Sequence, residues 1–494
     1  MVFGVDATPV HVEIDVSFGL PTFTMVGLPD ATVRESRDRV KSAIRNSGFE
    51  FPPHRITVNL APADVRKAGA AFDLPIALGI LAADGRVERR EVTELIVLGE
   101  LSLDGTIQAA RGVLPIAAAA KRDGFAGLLL PKSNASEAAV VSGLRIFPVG
   151  SLVEAVGALN DPASVAPPPS AAPGVRLSHT TDLADIRGQR LARRAIEVAA
   201  AGAHNLLLVG PPGAGKTMMA RRMPGILPPL TFDEALEATA VHSVAGLLPP
   251  GSGLLTERPF RAPHHTISNA ALVGGGPQPR PGEVSLAHHG VLFLDEMLEF
   301  NRHVLEVLRQ PLEEGSVAIA RAARTAVFPS RFVLLGAMNP CPCGFAGDPM
   351  RECRCTPQQI ARYCSRLSGP LRDRLDLTVE MPALPPDVLV GSAAGEASAA
   401  VGLRVVAARE RQTARYGVGG PRTNADLPAA LLAEHCRLDQ PALRLLSAAV
   451  ERLSLSARGF DRVRKVARTI ADLAGSADVA ADHVAEALQF RVSW

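Results

Sequence analysis

The sequence predicts a multidomain α/β protein, and three observations support that fold class. Over residues 1–160, strand-like runs with alternating apolar residues are interspersed with apolar helix-like runs. A glycine-rich loop over 210–215 separates a short, fully apolar run from a run of good helix formers, as expected where a buried parallel strand precedes a helix. From residue 384 onward, apolar residues recur at helical spacing. A chain of 494 residues is also too long for one core, and about 150 residues per domain suggests about three domains.

Composition restricts the class of protein. Hydrophobic residues make up 47% and charged residues 21% of the chain, and no uncharged apolar stretch reaches the ~18 residues of a membrane span, so we expect globular domains and no membrane partner. The first residues alternate like a strand and lack the regions of a signal peptide, so we expect none. The net charge is only +2, so nucleic-acid binding would need local basic patches. Six cysteines do not form a disulfide framework in so long a chain, which favours a reducing cytoplasm.

Changes in composition and periodicity along the sequence divide the chain into four predicted segments. Residues 1–160 form an α/β domain, with strands predicted over Val10–Val16 and Arg55–Leu60 and a helix over Leu74–Ala83. Residues 161–178 are rich in Pro, Ala and Ser and predict a linker. Two further segments complete the chain, a nucleotide-binding domain over 179–383 and an Arg-rich helical domain over 384–494. In the last segment, a solvated face is expected for three arginines, Arg462, Arg464 and Arg468.

A complete G-x-x-x-x-G-K-T phosphate loop lies between a predicted strand, Leu206–Val209, and a predicted helix. Its glycines allow a tight turn whose N–H groups point inward, toward the phosphates of a nucleoside triphosphate. Lys216 would reach the β- and γ-phosphates, and Thr217 would hold Mg²⁺. The loop residues that we expect around the phosphates are Gly210, Pro211, Pro212, Gly213, Ala214 and Gly215.

A second apolar run, Val291–Leu294, ends in two carboxylates. This arrangement would place Asp295 in the Mg²⁺ shell and Glu296 against the attacking water, which predicts hydrolysis as well as binding. The alternative is a buried strand that ends in two solvated acids. A third apolar run, Arg331–Met338, ends in Asn339, whose amide would help to position the water.

The cysteines are clustered after Asn339, with two C-x-C pairs separated by nine residues and Cys364 further on. Two thiolate pairs would close a tetrahedral Zn²⁺ site that holds a loop in place. Because C-x-C is less usual than C-x-x-C, reduced free thiols remain the alternative. The four expected ligands are Cys341, Cys343, Cys353 and Cys355.

Two further stretches point toward surface roles. Residues 316–330 contain two β-prone runs around Arg321 and Arg324 without any acid, which suits binding to a phosphate backbone, although a solvated edge hairpin fits equally well. The long segment 260–290, between the phosphate loop and the acidic strand, carries two pairs of histidines. Their spacing is not that of helical metal ligands, so a surface or pore-loop role is favoured over metal binding.

Residues 97–134 and 67–81 resemble the proteolytic domain of Lon, a fold that some DNA-repair ATPases keep without peptidase activity. Lon-type proteolysis needs a Ser nucleophile in a small-residue loop and a Lys base. The corresponding loop, 69–73, contains no Ser, and the region expected to hold the base, 111–115, contains no Lys. Without an activated nucleophile, the resemblance implies a docking or assembly domain rather than a peptidase.

The nucleotide motifs resemble those of AAA+ ATPases, and the resemblance assigns further roles. Gly188 and Gln189 precede a helix at the position that contacts adenine in that family. Asn339 matches the sensor-one position. The stretch 368–377 resembles the arginine-finger motif of replicative helicases, which implies that Arg374, or failing that Arg372, reaches a neighbouring subunit's γ-phosphate. For either arginine, the alternative is a surface salt bridge. The stretch 454–458 resembles the sensor-two turn, which implies that Arg458 lies on the phosphates of the same or an adjacent subunit.

The segments 282–296, 339–344 and 368–377 look like those of the YifB/ComM proteins, which are magnesium-chelatase-like AAA+ ATPases, and 27–64 matches the same family. The resemblance therefore covers essentially the whole chain and implies ATP and Mg²⁺ as cofactors. It also implies a homo-oligomeric ring, most simply a hexamer, because an arginine finger acts between subunits.

The same resemblance implies a motor on single-stranded or branched DNA that promotes branch migration in homologous recombination during natural transformation. A second interpretation is a chelatase-type ATPase that remodels a protein partner without touching DNA. A third is a remodeller or regulator of proteins that are recruited by the Lon-like domain. The first is favoured, since a Lon-like domain is not expected in a chelatase ATPase subunit.

Overall fold

The computed structural model of the chain describes residues 1–63, 67, 69–166, 181–276, 279–320, 325–348, 351–385, 395–417, 419–453 and 455–491. These residues divide into two compact units, each drawn from three stretches of sequence. The first unit is Met1–Arg176 with Ala235–Thr256 and Ala320–Phe328, and the second is Leu177–Glu234 with Glu257–Ile319 and Pro329–Trp494. The four-segment division along the chain stays a prediction, but the units show that Ala235–Thr256, which follows the phosphate loop in sequence, belongs with the N-terminal residues.

The first unit contains a mixed three-stranded sheet. Its central strand, Arg55–Ala61, is antiparallel to His11–Ser17 and parallel to Thr22–Val26. Every second side chain of the central strand, beginning at Ile56, is buried, so one face of the sheet contributes to an apolar core. Helix Asp73–Ala83 packs on this sheet. The two strands and the helix predicted in this region are therefore confirmed to within one residue at each end.

A second sheet of the first unit is parallel throughout. Gly127–Pro131 lies between Arg145–Val149 and Leu95–Val97, and all five of its residues are buried. The other described strands of this unit are short: Val2–Phe3, Asp6–Ala7, Glu100–Leu101, Ile107–Gln108 and all but the last residue of Thr325–Pro329. Its remaining helices are Ala31–Asn46, Arg89–Glu94, Val113–Arg122, Ala135–Ala138, Leu152–Asn160 and most of Phe232–Ala245.

The central sheet of the second unit has five parallel strands. Their order across the sheet is Phe260–Arg261, Val291–Leu294, Val333–Met338, Leu206–Val209 and Leu377–Glu380. The three middle strands are buried along their whole length, which is why each of them has a continuous apolar sequence. Because the carboxyl ends of parallel strands meet at one edge, the loops that follow these three strands are neighbours.

The edge strand Phe260–Arg261 is absent from the sequence predictions, because two residues carry no periodicity. It lies in the long segment 260–290 and pairs with Val291–Leu294. The same segment contains the short helices Asn269–Val273 and Glu283–Leu286 and the strands Gly274–Gly275 and Arg280–Pro281. This segment is therefore in part a structural component of the sheet.

Helices complete the second unit. Apolar residues of the C-terminal helices, such as Val405, Leu446 and Ile470, belong to the same core as Leu206 and Leu208 of the sheet. Among the described residues, no helix is both long and apolar enough to cross a membrane. The helices of this unit that are not given above are Arg190–Gly202, Lys216–Ala220, Arg302–Glu306, Arg309–Glu314, Pro357–Cys364, Gly369–Arg372, Ser398–Tyr416, Ala429–His435, Gln440–Leu453, Ala457–Ala474 and Ala481–Gln489.

Candidate functional site

The phosphate loop connects strand Leu206–Val209 to helix Lys216–Ala220, as predicted. Gly213 and Gly215 have φ angles of +81° and +90°, in the left-handed region that a side chain would strain. Gly210 is required for a different reason, because a Cβ there would lie 2.2 Å from the carbonyl oxygen of Met381. The local sequence thus permits a turn that wraps around the end of the strand.

Lys216 lies at the centre of this loop and is almost fully buried. Its ammonium donates to the carbonyl oxygens of Gly210, at 2.6 Å, and Pro211, at 2.9 Å, and to Oδ1 of Asn339, at 3.1 Å. Burial lowers the pKa of Lys216, and the charge of the neighbouring Asp295 acts in the opposite direction. The predicted phosphate-binding lysine and the predicted sensor residue are therefore in direct contact.

Thr217 and Asp295 also meet at this edge of the sheet. The Thr217 hydroxyl donates to Oδ2 of Asp295 at 2.6 Å, and Oδ1 of Asp295 accepts from the backbone N–H of Glu296 at 3.0 Å. A hydroxyl and a carboxylate oxygen at this distance are hard ligands of the type that Mg²⁺ prefers. The structure thus brings together the two residues that the sequence predicts as Mg²⁺ ligands.

Glu296 follows directly and has a backbone φ of +50°, an uncommon value for a residue with a side chain. Its carboxylate is 59% exposed, so water has access to it. The imidazole Nδ1 of His265 lies 3.6 Å from Oε2 of Glu296, and the His265 ring contacts Phe300 edge-on. The sequence identifies His265 only as one of a pair of histidines. Its position after an unpredicted edge strand is what places it beside Glu296.

Gln189 contacts the phosphate loop through its side chain. Its side-chain amide donates to the carbonyl oxygens of Ala214, at 3.3 Å, and Pro382, at 2.8 Å. Gln189 is 8% exposed and, like Gly188 before it, has a positive φ. These contacts place Gln189 next to the loop, and a contact with adenine stays a prediction.

Arg374 contacts groups of its own chain. It forms an ion pair with Glu313, and its guanidinium donates to the carbonyl oxygen of Pro370 at 2.6 Å. Burial lowers the pKa of Arg374, and the positive charges of Arg309 and Arg458, among others, act in the same direction. Several guanidinium groups thus lie close together around Arg374. Clustered guanidinium groups attract anions, and two of these neighbours already have carboxylate partners: Arg309 pairs with Glu306 and Arg462 with Asp376.

Arg458 is exposed at the start of helix Ala457–Ala474, where Ser456 caps the helix by accepting from the N–H of Gly459. Arg372 is also exposed. The structure therefore gathers Arg374 and Arg458 in one region, and it leaves their roles toward a nucleotide as predictions.

The prediction of a solvated arginine face on this helix is wrong. Arg468 is 1% exposed and donates to the buried carboxylate of Asp472 at 2.9 Å. Arg464 donates to two backbone carbonyl oxygens, and Arg462 pairs with Asp376 at 3.3 Å. Buried carboxylates need cationic partners, and residues four apart lie on one face of a helix, so this face is turned inward.

The surface role that was expected for the paired histidines is wrong for the second pair. His288 is 1% and His289 is 7% exposed. Nδ1 of His288 accepts from the backbone N–H of Arg331 at 3.0 Å, so this ring forms part of the packing beside the acidic strand. In the first pair, His264 is exposed and His265 is partly exposed.

The four clustered cysteines converge on one point. Their Sγ atoms all lie within 4.8 Å of one another, and three of the separations are 3.3 Å, 3.7 Å and 3.6 Å. A tetrahedral site with Zn–S distances of about 2.3 Å has sulfur–sulfur distances of about 3.8 Å, so these thiols fit zinc. The cluster consists of Cys341, Cys343, Cys353 and Cys355, and the structure places Cys364 on helix Pro357–Cys364, outside it.

Backbone N–H groups point at these sulfurs. Ala346 donates to Sγ of Cys341 at 3.3 Å, and Cys355 donates to Sγ of Cys353 at 3.4 Å. Backbone donors, first that of Phe345, lower the pKa of Cys343 to about 6. The pKa values of Cys353 and Cys355 are raised, although each receives a backbone hydrogen bond, because desolvation and the neighbouring thiols outweigh that bond. Hydrogen bonds of this kind stabilise thiolates, which are the form of cysteine that binds metal.

The two arginines that were predicted to contact DNA, Arg321 and Arg324, lie outside the described residues. The runs on either side are strands, Ser316–Ala320 and Thr325–Pro329, and these were both predicted. A contact of the two arginines with a phosphate backbone stays a prediction.

Three family models match this chain. The model “Subunit ChlI of Mg-chelatase” matches residues 12–134, and “Magnesium chelatase, subunit ChlI” matches residues 182–389. The model “Magnesium chelatase, subunit ChlI C-terminal” matches residues 395–491. The middle match contains the phosphate loop, the acidic strand and the cysteine cluster.

Two similar proteins align along almost their entire length. YifB of Escherichia coli is 44% identical over 492 residues, which is 99% of this chain and 95% of YifB. Competence protein ComM of Haemophilus influenzae is 45% identical over 499 residues, with the same 99% and 95% coverage. The similarity therefore extends through both compact units.

Proposed function

Because the chain belongs to the YifB/ComM family of magnesium-chelatase-like proteins, we propose that it hydrolyses ATP at the carboxyl edge of its central sheet. The family implies the use of ATP and Mg²⁺. The observation that carries the proposal is the convergence of two side-chain pairs after three neighbouring strands: Lys216 with Asn339, and Thr217 with Asp295. Glu296 follows Asp295 directly and donates its backbone N–H to the Asp295 carboxylate.

Each residue has a role that follows from its position. The loop N–H groups and Lys216 bind the phosphates, and Thr217 with Asp295 holds Mg²⁺, which neutralises charge that develops on the phosphate oxygens. Glu296 is exposed beside these groups and accepts a proton from the attacking water, which Asn339 helps to orient. These are the parts that hydrolysis requires, since positioning and charge stabilisation account for most of phosphoryl-transfer catalysis.

We further propose a ring of identical subunits, most simply a hexamer, in which Arg374 acts on the nucleotide of a neighbour and Arg458 on that of the same or an adjacent subunit. Arg374 lies in a cluster of guanidinium groups, and its own carboxylate partner is Glu313. A γ-phosphate would offer this cluster a stronger, multiply charged partner. Between subunits, this contact requires head-to-tail interfaces that close on themselves.

The proposed work of the ring is movement on single-stranded or branched DNA, as a branch-migration motor for homologous recombination in natural transformation. The relative that is named competence protein ComM supports this proposal, because competence is the state in which cells take up DNA. The proposal places the chain in the cytoplasm. We assign the DNA contacts to Arg321 and Arg324, in the run between two strands that contains no acid.

ATPase rate tests the DNA proposal most directly. We expect the rate to rise when single-stranded or forked DNA is added to purified protein. A protein with both Arg321→Ala and Arg324→Ala should keep its basal rate, lose most of this stimulation, and bind DNA with a flatter salt dependence, because fewer counterions are released. The same basal and DNA-dependent rates in wild type and double variant would contradict the assignment of these two residues.

A chelatase-type ATPase that remodels a protein partner is the second candidate. The match to magnesium chelatase subunit models along the chain favours it. It predicts an ATPase rate that DNA leaves unchanged at every salt concentration, so the same assay separates the two functions.

We also propose that the cysteine cluster holds one structural zinc ion. All four sulfur atoms lie within 4.8 Å of one another, and the three separations among Cys341, Cys343 and Cys353 are 3.3 to 3.7 Å. These distances and the N–H groups directed at the sulfurs support four thiolate ligands. Protein purified without chelator should contain about one zinc per chain, and Cys353→Ser should lower this content. Metal analysis that finds no zinc in reduced, anaerobically purified protein would rule the site out.

A further inference from the structure

The cysteine cluster begins directly beside the nucleotide site. Asn339, which accepts from Lys216, is separated from Cys341 by a single proline. Cys341 is fully buried, and its carbonyl oxygen accepts from the N–H of Gly344 at 3.0 Å, which closes a tight turn. A displacement of the first cysteine pair would therefore be transmitted to Asn339 through a short and closely packed connection.

The same turn is in contact with the phosphate loop. At Gly344 a Cβ would lie 2.6 Å from Cδ and 3.0 Å from Cγ of Pro212, and 3.8 Å from Cγ of Asn339. Only a residue without a side chain fits between these groups. Gly344 therefore lets the cysteine turn lie flat against the phosphate loop.

The chain that follows the second cysteine pair contacts the segment after the acidic strand. Cys355 is followed by Thr356, which caps helix Pro357–Cys364. Just after this helix, Arg366 donates to the carbonyl oxygen of Leu298 at 2.8 Å and pairs with Glu299 at 3.2 Å. These two residues follow Glu296 by only a few positions. The turn at the first cysteine pair thus contacts the phosphate loop, and the chain after the second pair is tied to the segment that follows the acidic strand.

We propose that the zinc ion acts as a clamp on the nucleotide site by joining these two pairs. This inference rests on the zinc site proposed above. Four sulfur ligands around one ion fix the separation of the pairs, so the turn at Gly344 stays against Pro212 while Arg366 holds the segment after the acidic strand. The clamp keeps the phosphate loop and Asn339 in position for phosphates. Loss of zinc lowers the affinity for ATP.

The test compares two glycines of the same cysteine loop. Gly344 and Gly347 have φ angles of +86° and +76°, so alanine imposes similar backbone strain at both, but a Cβ at Gly347 meets nothing within 4 Å. Gly344→Ala should weaken binding of a fluorescent ATP analogue by about tenfold more than Gly347→Ala does, because the added Cβ displaces Pro212. Both variants should retain about one zinc per chain.

A second arm removes the metal from wild-type protein with a chelator. The stripped protein should bind the analogue more weakly, and added zinc should restore binding. The inference is overturned if the two glycine variants bind alike, or if stripped protein with wild-type circular dichroism binds normally. The proposals fail separately: absence of zinc in wild type contradicts the zinc site itself, and absence of analogue binding in wild type contradicts the nucleotide site.

Discussion

Lys216 illustrates how single side chains define this site. Its ammonium is buried and contacts two backbone carbonyl oxygens and the amide of Asn339, all of which are neutral acceptors. Phosphate oxygens are charged acceptors and form stronger hydrogen bonds with an ammonium group. Burial, which lowers the pKa of Lys216, therefore favours an exchange of these carbonyl contacts for phosphate.

Substitutions of Lys216 and Glu296 should separate binding from hydrolysis. Lys216→Ala should abolish binding of ATP, because the phosphates lose their cation. Glu296→Gln should retain bound ATP while turnover stops, since the phosphate contacts remain and only the proton acceptor is lost. Equilibrium binding and steady-state ATPase assays measure the two effects. A Glu296→Gln protein within about tenfold of the wild-type rate would show that Glu296 is not the base.

At the scale of elements, helix Ala457–Ala474 is held by charges on its inner face. Arg468 and Arg415 both pair with Asp472, and Asn424 donates to the same carboxylate. A buried carboxylate that loses a cation keeps its desolvation penalty, so this network has a larger effect on stability than surface ion pairs do.

Replacement of Arg468 should therefore destabilise the second unit. Arg468→Leu is expected to lower the free energy of unfolding by about 3 kcal/mol, because Asp472 is left with fewer partners. Arg444 is exposed on helix Gln440–Leu453 and provides the control. Arg444→Leu should change the free energy of unfolding by less than about 0.5 kcal/mol. Denaturant titration of both variants measures the difference. Equal stability of the two would restore the prediction of a solvated face.

In the first unit, Glu137 joins separate elements through one buried carboxyl group. It accepts from the N–H of Leu114 at 2.8 Å, from the Asn134 amide at 3.1 Å and from the Ser243 hydroxyl. Burial raises the pKa of Glu137, although these hydrogen bonds oppose the shift.

The stability of this unit should depend on pH through Glu137. A carboxyl group whose pKa is higher in the folded than in the unfolded protein contributes stability that depends on pH. This stability is fully present below the unfolded pKa of 4.5 and is lost as pH rises through the folded pKa. Between about pH 5 and about pH 8, wild type should therefore lose stability relative to Glu137→Gln. Glu154 is the control, because its hydrogen bond with Lys132 lowers its pKa, and Glu154→Gln should give no such relative loss in wild type. Denaturant titrations at both pH values measure these stabilities. The prediction is contradicted if the difference in free energy of unfolding between wild type and Glu137→Gln is the same at both pH values.

At the scale of the whole molecule, the proposed ring distributes one active site over two subunits. Arg374→Ala should lower the ATPase rate by a factor on the order of 10³ to 10⁵, as expected for a finger that acts between subunits. Mixing with a Lys216→Ala protein should restore part of the rate, because each variant supplies the group that the other lacks. ATPase rates across mixing ratios measure this rescue. A complete lack of rescue would place Arg374 in its own subunit's site.

The sequence by itself determines the local parts of the nucleotide site. The middle strands of the sheet are buried on both faces and so appear as continuous apolar runs. The phosphate loop contains glycines because Gly213 and Gly215 have positive φ angles, which residues with side chains rarely adopt. Asp295 and Asn339 could therefore be identified because each directly follows a predicted strand, and Lys216 because it occupies the lysine position of the phosphate-loop motif. The four cysteines could be grouped because they lie close together in the sequence.

Only the tertiary structure decides which distant residues meet. A two-residue edge strand has no periodic pattern, so the position of His265 beside Glu296 had no signal in the sequence. Arg468 looks like a surface residue until Asp472 is found buried beside it. Nothing in the sequence distinguishes Gly344 from other loop glycines, and only the structure shows that Pro212 packs against its α-carbon. These contacts depend on the packing of segments that are far apart in the chain, and such packing is set by the whole core rather than by local sequence.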